Sequence, residues 1–143
     1  MTTRTVAITG AGSGIGQAIA KAFADEGYEV FASDISQDRL DITAKALGEP
    51  PNLHLRAVDV SDYAAVETFV QEASEHKGTL DAMVNCAGVF DGYADVRETT
   101  PELWQKVMGI NLSGAFHGCR AAALRMIPQR SGRIITIGSV AGQ

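Results

Sequence analysis

The sequence predicts an α/β fold in which a parallel sheet is covered by helices on both faces. Two observations support this prediction: short apolar runs alternate with amphipathic stretches, and glycine or polar residues separate the two kinds of segment. Such alternation builds right-handed strand–helix–strand units, which place their strands in parallel. The 143 residues contain no repeat and no linker, so we predict a single domain over residues 1–143.

The first half of the chain supplies three strand–helix units. Ser36 and Ser61 are the predicted N-caps of the second and third helices, since a serine hydroxyl can accept from a first-turn N–H group. Gly27 is the natural stop of the first helix, and Gly48 to Pro51 ends the second. The predicted strands cover 5–9, 29–33 and 53–58, and the predicted helices cover 15–28, 36–47 and 61–77.

The second half continues the pattern with a strand at 81–85 and a polar loop at 88–99. A long helix begins at Thr100-Pro101, where a proline without an N–H group is tolerated, and continues to about Met126. Gly109 and Gly114 within it suggest a local irregularity of the kind that functional helices carry. The fifth strand, at 134–137, is apolar throughout, which suits an interior strand covered on both faces.

No helix or sixth strand follows the fifth strand in this sequence to cover it or pair with it. A bare apolar edge strand is an aggregation hazard that proteins avoid. We therefore expect a Rossmann-type doubly wound sheet with five visible strand–helix units, incomplete on its C-terminal side. The sequence is expected to be the first part of a longer protein.

Composition and charge narrow the function classes. The net charge is −5, from 12 basic and 17 acidic residues, which argues against binding to nucleic acid or to an anionic membrane surface. The N-terminus does not have the form of a signal peptide, and no apolar run approaches the roughly 18 residues that a membrane span needs. We expect a cytoplasmic protein.

Cysteine and histidine give no sign of a disulfide framework or a metal centre. Cys86 and Cys119 are too few for a framework and form no CxxC pair, so we interpret them as small buried apolar residues. His54, His76 and His117 have no metal-ligand spacing along the chain. We predict that these histidines are surface or packing residues and that the protein has no metal site.

The strongest functional signal is the segment TGAGSGIG at 9–16, between the first strand and the first helix. A phosphate-bearing ligand there needs a tight turn, close approach to the backbone and free N–H groups at the helix start. Gly10 suits the turn, Gly14 the close approach and Gly16 the packing of helix on strand. We predict that the ligand is held by Gly10, Gly12, Ser13, Gly14, Ile15 and Gly16.

Asp34 is an independent sign of a dinucleotide. It ends the second strand 20 residues after Gly14 (34 − 14), where an acidic side chain reaches the adenosine ribose. Its carboxylate can accept from two ribose hydroxyls and would repel a 2′-phosphate. The next residue, Ile35, is neutral, and Arg39 lies a turn along the helix. We therefore predict NAD as the cofactor rather than NADP, bound by Asp34 and Ile35.

Taken together, these motifs resemble the short-chain dehydrogenase/reductase family along the whole sequence. Residues 9–16 match its TGxxxGxG loop, Asp59-Val60 its acidic-plus-apolar pair, and Asn85 to Gly88 its NNAG motif, with Cys86 in place of the second asparagine. The resemblance implies that Asp59, Val60, Asn85, Ala87 and Gly88 lie at the cofactor. It also implies catalytic roles for Asn111 and for Ser139, in the segment GSVAG at 138–142.

Within that resemblance Asp59 and Asn85 keep simpler alternatives. Asp59 could equally be a turn residue, and Asn85 could tie two segments together by side-chain hydrogen bonds, which in this family is largely its task. The resemblance further implies a homo-oligomer, a dimer or tetramer, in which the long helix contributes to the interface. An apolar stripe on that helix fits this expectation, and it contains Leu112, Phe116, Cys119, Ala123 and Ile127.

The family resemblance implies hydride transfer between the nicotinamide ring and the carbon of a small alcohol or carbonyl substrate. In the family a Tyr-xxx-Lys pair moves the proton, and none of Tyr28, Tyr63 and Tyr93 has lysine four positions later. Two hypotheses remain open. The sequence is either part of an oxidoreductase whose tyrosine and lysine lie elsewhere, which the uncovered fifth strand favours, or a catalytically silent, stand-alone NAD-binding module.

Overall fold

The computed structural model describes residues 3–93 and 95–139. Five strands form one parallel sheet: β1 (Thr5–Thr9), β2 (Glu29–Asp34), β3 (Leu53–Ala57), β4 (Ala82–Asn85) and β5 (Arg133–Thr136). Their spatial order is β3-β2-β1-β4-β5, and every neighbouring pair is parallel. The predicted doubly wound α/β architecture is confirmed.

The helices alternate with the strands. They are α1 (Gly14–Asp25), α2 (Gln37–Ala46), α3 (Tyr63–Lys77), α4 (Pro101–Met108) and α5 (Gly114–Gln129), and a short π-helical segment (Gly109–Ser113) joins α4 to α5. Ser36 caps α2 and Thr100 caps α4, each accepting from a backbone N–H group three residues later, as predicted for Ser36.

Alternate residues of each strand pack in two separate hydrophobic cores, one on each face of the sheet, because successive side chains of a strand point to opposite faces. Val6 and Ile8 of β1 pack with Ala20 of α1 and Leu40 of α2 on one face. Ala7 faces the other layer, in which α3 and α5 cover the sheet. The central strands are covered on both faces and read as continuous apolar runs for that reason.

The chain reverses its direction of travel across the sheet between β1 and β4. It proceeds from β1 outward to β2 and β3, then crosses back to place β4 on the other side of β1 and β5 beyond it. In open parallel sheets ligands bind at such a switch point, beside the carboxyl ends of the strands. The topology therefore directs attention to the loops that follow β1 and β4.

Two details differ from the sequence-based expectation, and a third agrees with it. Asp62, not Ser61, is the N-cap of α3: its carboxylate accepts from the N–H groups of Ala64 and Ala65, whereas the Ser61 hydroxyl donates to Asp59. The long helix continues to Gln129 rather than Met126 and ends at Arg130 in the left-handed conformation. The irregularity expected near Gly109 and Gly114 is present as the π-helical segment.

The fifth strand lies at the edge of the sheet in the described part of the chain. β5 pairs with β4 on one side only, and Ile134 and Ile135 are each 41% exposed. Within the described residues, β5 is therefore the uncovered apolar edge strand that was expected from the sequence. Among the described helices, none is both long and apolar enough to cross a membrane.

Candidate functional site

A crevice of about 320 Å³ lies at the switch point, beside the carboxyl ends of the central strands. The volume falls within the range of small-molecule pockets, about 300–1,000 Å³. Most of the predicted cofactor-binding residues line it, although they come from four separate segments of the chain: Gly10, Ser13, Gly14, Ile15, Gly16, Asp34, Ile35, Asp59, Val60, Ala87 and Gly88.

The start of α1 at this crevice has the features of an anion site. Ser13 is its N-cap residue, but within the described residues no side chain caps the first turn, which also lacks an acidic residue. By contrast, the side chains of Ser36, Asp62 and Thr100 cap α2, α3 and α4. The uncapped N–H groups and the positive end of the helix dipole favour a phosphate group.

Gly14 leaves room for such a ligand. Its φ is 52°, in the left-handed region that side chains rarely adopt, and no atom lies within 4 Å of the place where a Cβ would project. Gly16 is constrained differently, because a Cβ there would lie 2.0 Å from the carbonyl oxygen of Gly10. The loop is thus open toward the crevice and closed toward the sheet, so the residues present fit a pyrophosphate.

Thr9 connects the two loops that form the floor of the crevice. Its hydroxyl oxygen accepts from the N–H groups of Cys86 and Ala87, at 3.2 and 3.3 Å. These bonds hold the loop after β4 against the end of β1, where a Cβ on Gly10 would lie 2.7 Å from the Cα of Ala87. Thr9 belongs to the predicted TGAGSGIG motif, but no role for its side chain was predicted from the sequence.

Asp34 ends β2 with only 8% of its surface exposed. Its Oδ2 accepts from the N–H group of Gly12 at 3.1 Å, and its Oδ1 accepts from the N–H group of Ser36 at 3.0 Å. Gly12 itself does not line the crevice, because it packs against Asp34, where a Cβ would lie 2.7 Å from Cγ. Gly12 and Asp34 together therefore set the shape of the glycine loop.

Arg39 changes the electrostatics expected at Asp34. Its guanidinium binds Oδ1 through Nε at 3.1 Å and through Nη2 at 2.5 Å, and the arginine side chain is 48% exposed. From the sequence, Arg39 was expected a turn along α2 and was given no part in the charge at Asp34. The structure corrects this: the helix returns the side chain to the carboxylate, so a ligand at this place meets an ion pair rather than a lone negative charge.

Asp59 is a turn residue that also lines the crevice. Its Oδ1 accepts from the N–H group of Ser61 at 2.9 Å and from the Ser61 hydroxyl at 2.7 Å. The neighbouring Val58 and Val60 are buried and present apolar surface to the same wall. With Ile15 and Ile35, each 62% exposed at the crevice, they form a surface that suits a flat, apolar ring.

Asn85 lies under the crevice rather than in its lining. Its Nδ2 donates to Cys119 Sγ of α5 and to Thr136 Oγ1 of β5, each at 3.4 Å. The side chain therefore ties three elements together, in agreement with the structural alternative. The adjacent Cys86 does line the crevice, and burial raises the pKa of its thiol. Cys86 and Cys119 are both free thiols, each partly rather than fully buried.

Asn111 lies in the π-helical segment and holds the loop after β4. Its Oδ1 accepts from the N–H group of Val89 at 2.8 Å, and its Nδ2 donates to the Val89 carbonyl oxygen at 2.9 Å. Asn111 does not line the crevice, whereas its neighbour Ile110 and its partner Val89 do. The side chain thus positions the loop that carries Gly88.

Ser139 follows β5 and is exposed. Two residues earlier, Ile137 lines the crevice, and its N–H group donates to the carbonyl oxygen of Asn85 at 2.9 Å. The segment that carries Ser139 therefore leaves the sheet at the edge of the crevice. The remaining residues of GSVAG, 140–142, lie outside the described residues.

Comparison with known proteins identifies the family. The family described as short chain dehydrogenase matches residues 4–143. The chain is 38% identical over 136 residues to a 3-oxoacyl-(acyl-carrier-protein) reductase of Thermotoga maritima, covering 94% of this chain and 55% of that protein. It is 37% identical over 141 residues to a sorbitol dehydrogenase of Cereibacter sphaeroides, covering 98% of this chain and 54% of that protein.

A solved structure agrees with this assignment. NAD⁺-bound xylitol dehydrogenase superposes with a TM-score of 0.90 at 31% identity, covering 97% of this chain and 54% of that one. The chain spans about half the length of the curated relatives that it matches. With the glycine loop, the crevice and the sheet order all in agreement, the chain belongs to the short-chain dehydrogenase family.

Proposed function

We propose that this chain binds NAD and that the protein uses it to oxidise an alcohol or reduce a carbonyl group. The observation that carries the proposal is the crevice, which is lined both by the uncapped start of α1 and by the buried carboxylate of Asp34. Its similarity to an NAD⁺-bound xylitol dehydrogenase supports the same cofactor. NAD supplies a nicotinamide ring that accepts or donates a hydride.

In this proposal, different residues of the crevice bind different parts of NAD. The N–H groups of the glycine loop and the start of α1 would hold the pyrophosphate. Asp34 would accept hydrogen bonds from ribose hydroxyls, because among the described residues only the Gly12 N–H group donates to Oδ2, and a carboxylate offers about four lone-pair sites. Ile35, Val58 and Val60 would cover the faces of the adenine ring.

Ser139 and Asn111 have different roles in this proposal. Ser139 follows β5 at the edge of the crevice, where its hydroxyl would donate to the substrate oxygen and orient it. The side-chain amide of Asn111 is bonded to Val89 at both ends, so it acts as a positioning residue for the loop after β4. A proton donor such as the family's tyrosine is not among these residues.

The experiment that tests the activity uses the full-length protein with NAD and a panel of polyols and secondary alcohols, followed by NADH absorbance. Ser139→Ala is expected to lower kcat/KM by about 10²–10³-fold, the usual effect of removing one donor to the reacting oxygen. NADH affinity should stay within about twofold, since the loss concerns the substrate. Ser131→Ala, an exposed serine before β5, is the matched control.

This assignment of roles would be contradicted if the full-length protein formed no NADH with any alcohol of the panel, or if Ser139→Ala kept full activity. A polypeptide limited to residues 1–143 is expected to give no turnover, because it contains no Tyr-xxx-Lys pair. Loss of a general acid alone costs about 10²–10⁴-fold. Turnover by that polypeptide within tenfold of the full-length protein would show that the proton donor lies among the residues described above.

We also propose a homo-oligomer, with the exposed apolar stripe of the α5 region in its interface. Leu112 and Phe116 are each 60% exposed and Ile127 is 74% exposed, which leaves an apolar strip open to partners. Phe116→Asp is expected to shift the protein toward monomer in sedimentation at micromolar concentration. Ile42→Asp, equally exposed on α2, is the control. A monomeric wild-type protein would refute the proposal.

A further inference from the structure

Three potential metal ligands meet at the amino-terminal end of the sheet. Glu29 begins β2, His54 lies in the adjacent β3, and His76 lies in the last turn of α3. Their ligand atoms all lie within 4.8 Å of one another. Glu29 Oε2 is 2.8 Å from His54 Nε2 and 3.3 Å from His76 Nε2.

Neighbouring groups hold these side chains in place. Lys77 Nζ lies 3.4 Å from Glu29 Oε1, which leaves Oε2 to face the two imidazoles. Phe31 stacks on the ring of His54 at 4.5 Å and meets the ring of His76 edge-on at 5.4 Å. The three ligands are therefore preorganised by contacts that do not depend on a metal, which lowers the cost of binding one.

We propose that Glu29, His54 and His76 form a Zn²⁺ site, with water as the fourth ligand. Two imidazole nitrogens and one carboxylate oxygen are a known ligand set for zinc with an open position. At metal–ligand distances of about 2.0–2.1 Å, tetrahedral ligands stand roughly 3.3–3.4 Å apart. The oxygen-to-nitrogen distances of 2.8 and 3.3 Å approach that spacing, and the two imidazole nitrogens lie within 4.8 Å of each other, so side-chain rotations without movement of the backbone would complete the site.

Both acidic and basic side chains surround the cluster, and the acidic ones favour the binding of a cation. Glu72 and Glu75 line the same groove as the two histidines, and their carboxylates favour a divalent ion there. Arg56 is paired with Glu72 at 2.7 Å, and Lys77 opposes the ion through its charge. Because of these two cations, we expect weaker binding than at a four-ligand structural zinc site.

The site is separate from the crevice in which the cofactor is proposed to bind. Glu29 and Asp34 lie at opposite ends of β2, five residue steps apart, or about 16 Å along the strand. Zinc at Glu29 would join β2, β3 and α3 at their amino-terminal edge. Its expected effect is therefore on stability, and a failure of the cofactor proposal would leave this one intact.

The test is a titration of the metal-free, full-length protein with ZnCl₂ in competition with a chromophoric chelator. We expect one zinc per chain, and a rise in the midpoint of thermal unfolding that EDTA reverses. His54→Gln and His76→Gln should each weaken binding by more than the roughly 10–100-fold that loss of an outer-shell partner costs. His117→Gln, which removes a histidine bonded to Val60 instead, should bind zinc like the wild type.

A second measurement guards against a variant that does not fold. Co²⁺ bound to the wild-type protein should show the visible absorption of tetrahedral cobalt, and Glu29→Gln should lose it while its circular dichroism is unchanged. Three results would overturn the proposal: no zinc bound at millimolar concentration, affinity unaffected by either histidine substitution, or an octahedral cobalt spectrum. In the first case the cluster is only a hydrogen-bonded contact between side chains.

Discussion

Asp34→Asn tests the basis of the proposed cofactor preference. The substitution keeps the size of the side chain at a site where only 8% of Asp34 is exposed, and it removes the negative charge. In Asp34, Oδ2 accepts from the Gly12 N–H group, and Oδ1 accepts from the Ser36 N–H group and the Arg39 guanidinium. The asparagine side chain has only one oxygen, so it cannot accept from both sets of donors. The variant changes the charge seen by the ribose and also loosens one anchor of the glycine loop.

The expected change in cofactor preference on Asp34→Asn has two contributions. A 2′-phosphate about 5 Å from the carboxylate would be repelled by roughly 3 kcal/mol per unit charge at an effective dielectric constant of about 20. Arg39 pairs with Asp34 and offsets part of that repulsion, so we expect about 1–2 kcal/mol against NADPH, or roughly 5- to 30-fold. In addition, replacing the charged acceptor by a neutral one is expected to weaken the binding of NADH by about 1 kcal/mol.

The weaker repulsion of NADPH and the weaker binding of NADH both change the ratio of the two cofactor affinities in the same direction, so their free energies add. Asp34→Asn is expected to shift the NADPH-to-NADH preference toward NADPH by about 2–3 kcal/mol, or roughly 30- to 150-fold. Fluorescence titration of the wild type and the variant with both cofactors measures this ratio directly. Asp38→Asn makes the same change of charge at an exposed position of α2 and should leave the ratio unchanged.

Arg39→Gln supplies the opposite perturbation. Removal of its guanidinium leaves the Asp34 carboxylate without its ion-pair partner, so discrimination against NADPH should increase. The proposed basis of the cofactor preference would be refuted by equal wild-type affinities for NADH and NADPH, or by an Asp34→Asn variant with an unchanged ratio of the two affinities. It would also be refuted if Arg39→Gln lost NADH affinity as strongly as Asp34→Asn.

Two further predictions concern packing and cysteine reactivity. Gly118→Ala should lower the free energy of unfolding by about 1–3 kcal/mol in denaturant titrations, because its Cβ would lie 1.9 Å from Asn85 Oδ1. Gly109→Ala, with its nearest contact at 3.7 Å, should be near neutral, and equal losses in the two variants would contradict the reasoning. Burial raises the pKa of Cys86, so near neutral pH iodoacetamide should alkylate it more slowly than an exposed model thiol, measured by mass spectrometry of the Cys86 peptide. NADH should slow the reaction further, since Cys86 lines the crevice, and an unprotected thiol with ordinary reactivity would show that the residue lies elsewhere.

Local patterns predicted the architecture well. The first strand matches its predicted bounds, Thr5–Thr9, because its continuous apolar run is buried on both faces. The glycine loop and Asp34 were predicted from their spacing and from their places after β1 and β2, and both line the crevice, since the strand–turn–helix geometry fixes how far apart such residues lie. The irregular helix was foreseen from Gly109 and Gly114, because glycine and asparagine are poor helix formers.

Local patterns failed where neighbouring residues compete for one role. Ser61 and Asp62 are both good N-caps, and only the structure shows that Asp62 bonds to the helix while Ser61 bonds to Asp59. The charge environment of Asp34 was also misjudged. Counting residues placed Arg39 beyond reach, but the first turn of α2 brings its guanidinium back onto the carboxylate.

What the sequence by itself determined was the order of strands and helices and the identity of the glycine loop that lines the crevice, because both follow from short-range periodicity and spacing. Only the tertiary structure decided which distant side chains meet. Glu29 and His54 are 25 residues apart, and they come together because β2 and β3 pair in parallel with Phe31 opposite His54. His76 joins them because α3 returns along the sheet. Strand register and helix return are set by the packing of whole layers, which no local spacing encodes.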